Sequence, residues 1–239
     1  MKKNLLKLCV IFLAILIVIP GVKVRCNDDL PEEEKEKIVY ITFDDGPGGD
    51  ITRKTLDILK NEGVPATFFI IGEQVKGQED IILRMKDEGH AIGLHSFTHN
   101  RNNLYSGKDG FISEMTKVQE SLYNITGEKY YILRFPFGCN NSTYRLSQEM
   151  VDAVHANNFK IFDWTQDTLD GANPGSSPDT ILNRSISTKD TVVVLMHNTK
   201  LHKNTVAALP GIIRYYKSQG YTFKKITEDT PEIYRVIKK

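Results

Sequence analysis

Ile38-Val39-Tyr40-Ile41-Thr42-Phe43 runs straight into Asp44-Asp45-Gly46-Pro47. Each of the first six residues is β-branched or aromatic, the composition of a strand. The pair of acids is therefore delivered to the strand's C-terminal end. Similar β-rich runs recur at 66–71, 91–94, 130–134, 159–163, 191–196 and 220–226. Between them, stretches with helical period occupy 52–62, 79–89, 109–126, 146–157, 178–187 and 203–218, with a shorter one near 228–236. Gly63, Gly89 and Gly220 each stand between a helical stretch and a strand, where a left-handed closing residue belongs. Asp109, Ser177 and Asn204 stand near helix starts, as N-caps do. Seven βα units predict an α/β fold with a mostly parallel sheet and helices outside it, either a barrel or a doubly wound sheet. In both architectures ligands are handled at the C-terminal ends of the strands.

The chain has 239 residues, 40% hydrophobic and 26% charged, with a net charge of +1. That is material for one good core, and a near-neutral body argues against nucleic acid as a partner, since such binding rests on clustered Lys and Arg. At the N-terminus Lys2 and Lys3 precede an apolar stretch from Leu5 to Val22, interrupted by Lys7 and Pro20-Gly21. Residues 1–25 thus read as a secretory signal peptide or an uncleaved membrane anchor, which predicts a protein outside the cell or in its envelope. Residues 26–36 are a polar, mostly acidic linker, and 37–239 are expected to form one catalytic domain that works as a monomer. The three cysteines, Cys9, Cys26 and Cys139, make no disulfide framework.

The strand ends carry the chemistry. After the third run comes His95-Ser96-Phe97-Thr98-His99. A His pair four apart is either a surface pair or, with a carboxylate, a catalytic metal set with an open position. Position 96 is Ser, so this is not the H-E-x-x-H protease motif, and a base must come from elsewhere. Arg134-Phe135-Pro136-Phe137-Gly138 follows the fourth run. After the fifth, Asp163-Trp164-Thr165-Gln166-Asp167-Thr168-Leu169-Asp170-Gly171 holds the single Trp among several acids. The sixth run, Val192-Val193-Val194-Leu195-Met196, ends on His197. Each string alone has a structural explanation: a turn, a capped helix or a buried histidine. Their occurrence at successive strand ends does not.

In this order the motifs T-F-D-D-G-P, H-S-F-T-H, R-F-P-F-G, W-x-x-D-x-x-D and L-M-H resemble those of the polysaccharide deacetylases of the NodB-homology group, carbohydrate esterase family 4. The resemblance spans about residues 37–227. It implies a distorted (β/α)7 barrel in a single domain, and a divalent metal, zinc first with cobalt, nickel or iron as alternatives, on Asp45, His95 and His99. It further implies Asp44 as general base oriented by Arg134, and His197 as general acid oriented by Asp170. The Phe137 N–H would bind the oxyanion, and Trp164 and Leu195 would line the acetyl pocket. The implied substrate is an acetylated glycan, N-acetylglucosamine of peptidoglycan ahead of chitooligosaccharide, N-acetylmuramic acid or acetylxylan; a glycan-binding pseudoenzyme is the alternative of another class. One departure is Gly171, where many relatives carry Trp. It leaves Asp167 as a second candidate to orient His197 and removes one expected wall of the sugar groove. His90, His155 and His202 have no motif partner; His202 is close enough in sequence to His197 to reach the groove rim.

Overall fold

A computed structural model of the chain describes residues 35–141 and 144–236. The expected signal or anchor, Cys9, Cys26 and most of the linker lie outside the described residues. From Lys35 onward the chain forms one unit. Among the described residues no helix is long and apolar enough to cross a membrane.

Ile38–Gly46 is the first strand, β1, and everything else is arranged around it. Its even and odd residues separate as a period of two demands. Val39, Ile41 and Phe43 face the helices in the larger core. Tyr40 packs inward with Phe69, Ile132, Phe162, Val193 and Ile226, while Thr42 donates from Oγ1 to the carbonyl of Val194 across the sheet, 2.7 Å. The other strands are β2 (Thr67–Ile70), β3 (Ala91–Leu94), β4 (Ile132–Leu133), β5 (Lys160–Ile161), β6 (Gln166–Asp167), β7 (Thr191–His197) and β8 (Thr222–Lys224). Their order is β5-β4-β3-β2-β1-β7-β6, all pairs parallel, with β8 joining only the first residues of β1. β5 and β6 do not pair with each other, so the sheet curls into a distorted barrel that stays open there. The expected α/β barrel is present, single and parallel.

Helices α1 (Asp50–Glu62), α2 (Glu79–Asp87), α3 (Arg101–Leu104), α4 (Lys108–Thr126), α5 (Gln148–Ala156), α6 (Pro178–Ser185) and α7 (Lys203–Ser218) cover the outside. Gly63, Gly89 and Gly220 are left-handed as expected, with φ of 64, 80 and 75°. Ser177 caps α6, its Oγ accepting the Thr180 N–H. The caps expected at Asp109 and Asn204 are not used: the helices start earlier, after Gly107 and His202.

Two differences touch the site. The acidic stretch after β5 contains a strand, β6, that pairs with β7 and that two residues of polar sequence do not announce. No helix forms near 228–236. Pro231 withdraws a backbone donor and disfavours helical geometry at Thr230, and Thr227 and Thr230 close a turn instead. The segment then runs alongside β5: Ile233 bridges to Phe162, and the Glu232 carboxylate accepts the Ile161 N–H at 2.6 Å.

Candidate active site and metal centre

Asp44 and His197 are direct register partners on β1 and β7, so both side chains leave the sheet at the same level. Asp44 is buried, and its Oδ1 accepts from Arg134 Nη1 at 2.8 Å. Arg134, just past β4, is wholly buried under the site. Its guanidinium also donates to Thr42 Oγ1 (2.7 Å) and to the carbonyls of Phe162 (2.9 Å) and Asp163 (3.2 Å), and lies over the Phe69 ring at 4.2 Å. A buried cation so fully bonded holds the carboxylate in front of it in a fixed position.

The other oxygen of Asp44 faces His95, whose Nε2 is 3.7 Å away. His95 Nδ1 stands 3.0 Å from the Arg134 carbonyl, which can only accept. That fixes the tautomer and turns the Nε2 lone pair toward Asp45. His95 Nε2 and His99 Nε2 each lie 3.4 Å from Asp45 Oδ1. Two donors about 2.1 Å from a tetrahedral ion stand about 3.4 Å apart, so the spacing suits a shared centre. Asp45 Oδ1 is buried and has no hydrogen-bond donor. Burial and the neighbouring His95 push the His99 imidazole down to about 4, so it is neutral and able to ligate at neutral pH. For Asp45, burial opposes ionisation, but His95 and His99 outweigh it and hold the carboxyl well below its usual range. These three residues fit a divalent cation.

A fourth residue keeps this trio in place, and no motif announced it. Glu114 on α4 is buried, and its Oε2 accepts from the N–H groups of Phe97 and Thr98 and from Thr98 Oγ1, at 3.2, 2.8 and 2.9 Å. The Ser96 hydroxyl accepts the His99 N–H at 2.9 Å. The intervening loop is strained, with φ of 74° at Ser96 and 54° at His99. Asp45, Phe137 and Leu169 also have positive φ, so five of the six such non-glycine residues among those described belong to the site. Strain of this kind persists only where its surroundings enforce it.

On the opposite side Asp170, wholly buried, accepts from His197 Nδ1 at 2.8 Å and from the His197 N–H at 2.9 Å. Thr168 and Thr205 hydroxyls, 3.0 and 2.7 Å away, complete its shell. Burial works against the charge on His197, but the bond to Asp170 prevails and raises the imidazole to about 9. Asp167 does not take this part: its Oδ1 accepts the Leu169 N–H, and burial raises its carboxyl. Gly171 lies directly against the imidazole; a Cβ there would sit 2.3 Å from His197 Cε1. His202 is not at the groove rim. It is buried, its ring stacked on His197 with centroids 5.3 Å apart and 24° between planes, and its Nδ1 is 2.8 Å from Thr199 Oγ1. His90 sits at the other end of β3, accepting the Ala66 N–H, and His155 pairs with Glu232 on the outside.

Eight of the ten residues singled out in the sequence, all but the buried Arg134 and Asp170, line one cavity of about 480 Å³, with Asp167, Leu169, Gly171 and Ala172 completing it. The Phe137 ring packs on His99 at 4.6 Å and forms the exposed lip, with Arg101 over it at 4.6 Å. Trp164 and Leu195 are in the wall, as expected.

A family model described as polysaccharide deacetylase matches residues 32–154. A peptidoglycan-N-acetylglucosamine deacetylase of Bacillus cereus is 35% identical over 87% of this chain and 77% of its own length. The peptidoglycan-N-acetylmuramic acid deacetylase PdaA of Bacillus subtilis is 35% identical over 81% of this chain and 72% of its own. The crystal structure of a polysaccharide deacetylase from Bacillus cereus superposes with a TM-score of 0.74 at 36% identity, over 82% of this chain and 95% of that one. With its motifs, barrel and relatives in agreement, this chain belongs to the polysaccharide deacetylase family.

Proposed function

We propose that the protein hydrolyses the N-acetyl group of N-acetylglucosamine residues in peptidoglycan, a linear amide, as a metal-dependent deacetylase. One observation carries this: a buried carboxylate backed by a cation, and an imidazole backed by a carboxylate, face each other across Asp45, His95 and His99. A divalent cation on those three, zinc in our reading, would polarise the acetyl carbonyl and lower the pKa of the attacking water. Asp44, aimed by the Arg134 guanidinium, would take the proton from the attacking water. The Phe137 N–H, which has no partner within the described residues, donates to the oxyanion. His197, protonated and held by Asp170, gives its Nε2 proton to the departing amine, a poor leaving group without it. Trp164 and Leu195 receive the methyl group. The N-terminal segment brings the protein, as a monomer, to the cell envelope or beyond it.

The relative named for N-acetylmuramic acid shows the same 35% identity as the one named for N-acetylglucosamine, so the sugar is tested directly. Metal-loaded protein is incubated with peptidoglycan, chitooligosaccharides and acetylxylan, acetate is measured, and the deacetylated sugar is identified by mass spectrometry. We expect glucosamine from peptidoglycan. Deacetylated muramic acid would reassign the sugar, and glycan binding with no acetate above an Asp44→Asn control would make the chain a non-catalytic binder. Elemental analysis of protein purified without added metal identifies the ion.

A further inference from the structure

The catalytic cavity is one of two that meet at the metal ligands. The second, about 360 Å³, also includes Asp45 and His99, and is otherwise walled by Pro47, Gln74, Thr98, Thr199 and Lys200 among others. The two arms differ in chemistry. The catalytic arm is lined by Phe137, Trp164, Leu169 and Leu195. The second arm offers the Gln74 amide and the Lys200 ammonium, its two threonine hydroxyls being bonded to Glu114 and His202.

Both walls of the second arm are tied in place by groups the catalytic residues do not need. On one side Gln78 Oε1 accepts the Gly49 N–H at 2.7 Å, while its Nε2 donates to the carbonyls of Pro47 and Gln74 at 3.1 and 2.7 Å. This straps the loop after β1 to the segment that carries Gln74. On the other side the loop after β7 lies on Gly48 so closely that a Cβ there would be 2.2 Å from the Asn198 carbonyl. Thr52 Oγ1 donates to that same carbonyl at 3.2 Å, and Thr199 is bonded to His202. Lys200 is thus carried on a fixed loop, exposed, and forms no ion pair among the described residues. The carboxylate among the named residues of this arm, Asp45, is committed to the metal centre. A preorganised pocket beside the reacting sugar, with one uncompensated cation, selects for an anion.

We infer that the second arm is a subsite for the neighbouring sugar of the polymer, and that Lys200 reads a carboxylate on it. This inference rests on the deacetylase reading above and narrows its substrate to glycans in which an acetylated amino sugar adjoins one bearing an acid. Peptidoglycan has that chemistry, in the lactyl carboxyl of its second sugar or the acidic peptide built on it. Chitin does not.

The test is a ratio. Binding of a carboxylate-bearing peptidoglycan disaccharide and of its methyl ester is measured by calorimetry on zinc-loaded Asp44→Asn protein, with and without Lys200→Gln or Lys200→Arg. The KM ratio of the same two compounds is measured on enzyme with Asp44 intact. The acid is expected to bind about threefold more tightly than the ester, the scale of an exposed ion pair, and less so at high salt. Lys200→Gln is expected to erase the preference and Lys200→Arg to keep it. In a peptide-bearing fragment the lactyl carboxyl is tied up as an amide, so an acid-over-ester preference that persists there places the anion in the peptide, and one that vanishes there places it in the lactyl group. An acid-to-ester ratio of one in the parent, or one that Lys200→Gln leaves unchanged, overturns the inference. Absence of acetate from every glycan with the ratio intact would count against deacetylation and in favour of the subsite.

Discussion

The two sides of the site are built from the same parts in opposite roles. On the β1 side the acid Asp44 faces the cavity and the buried cation Arg134 bonds it from behind. On the β7 side the imidazole of His197 faces the cavity and the buried acid Asp170 bonds it from behind. In each pair the supporting group is the fully buried one, and its remaining bonds go to backbone groups or hydroxyls rather than to the cavity. On the β7 side burial alone would discharge the imidazole, and the bond to Asp170 reverses that and raises it to about 9. In the proposed reaction one side would act as the base and the other as the acid within one cavity.

Breaking the base side should do the most damage. Arg134→Met removes the partner of a buried carboxylate and every bond of the guanidinium. Urea unfolding should show a loss of about 3–5 kcal/mol, with no acetate released. Asp170→Asn should be milder in stability and severe in chemistry, because the amide cannot hold the imidazole charged. A fall in kcat of about 10²–10⁴ is expected. The same pair is legible in pH. In metal-free protein the His197 imidazole should titrate at about 9, above its usual 6.5, and Asp170→Asn should return it toward 6.5 by NMR. Because the folded value is the raised one, the pair's stabilisation is complete below about 6.5 and lost as pH rises through about 9. A bound cation repels the imidazolium, so the alkaline limb of kcat/KM should lie below that of the metal-free titration.

Smaller effects come from residues that hold the two sides apart. Glu114→Ala should loosen the loop between the two histidine ligands and weaken metal binding about tenfold, measured by competition with a chelator, while the His197 titration stays put. Gly171→Ala forces the imidazole away from a Cβ that would stand 2.3 Å from its Cε1. A several-fold drop in kcat with metal affinity unchanged is the expected outcome.

Much of this was legible in the chain. The apolar run before Asp44 and the one before His197 place both residues at strand ends because each strand is buried on both faces, the one polar residue inside them, Thr42, having its hydroxyl bonded across the sheet. The helical stretches were visible for the same reason, one face of each being in the core. What escaped the sequence is what depends on contacts rather than period. β6 is held by pairing with β7 and not by its own residues, Gln166 and Asp167. Glu114 sits on the buried face of α4, where a charged residue in a helical pattern reads as an interruption until the loop it bonds is known. His202 shows no spacing to His197 that predicts stacking, and only the turn closed by Thr199 brings it there. The choice of Asp170 over Asp167 likewise turns on which carboxylate the curl after β6 carries behind the strand.

The most direct measurement is acetate released from peptidoglycan as metal is titrated into metal-free protein, for the wild type and for His197→Gln. Release should rise to saturation at one divalent ion per chain and fall by about 10²–10⁴ in the variant, whose metal stoichiometry should be unchanged. Acetate release that needs no metal, or that survives His197→Gln undiminished, would contradict a paired base and acid acting across a single ion.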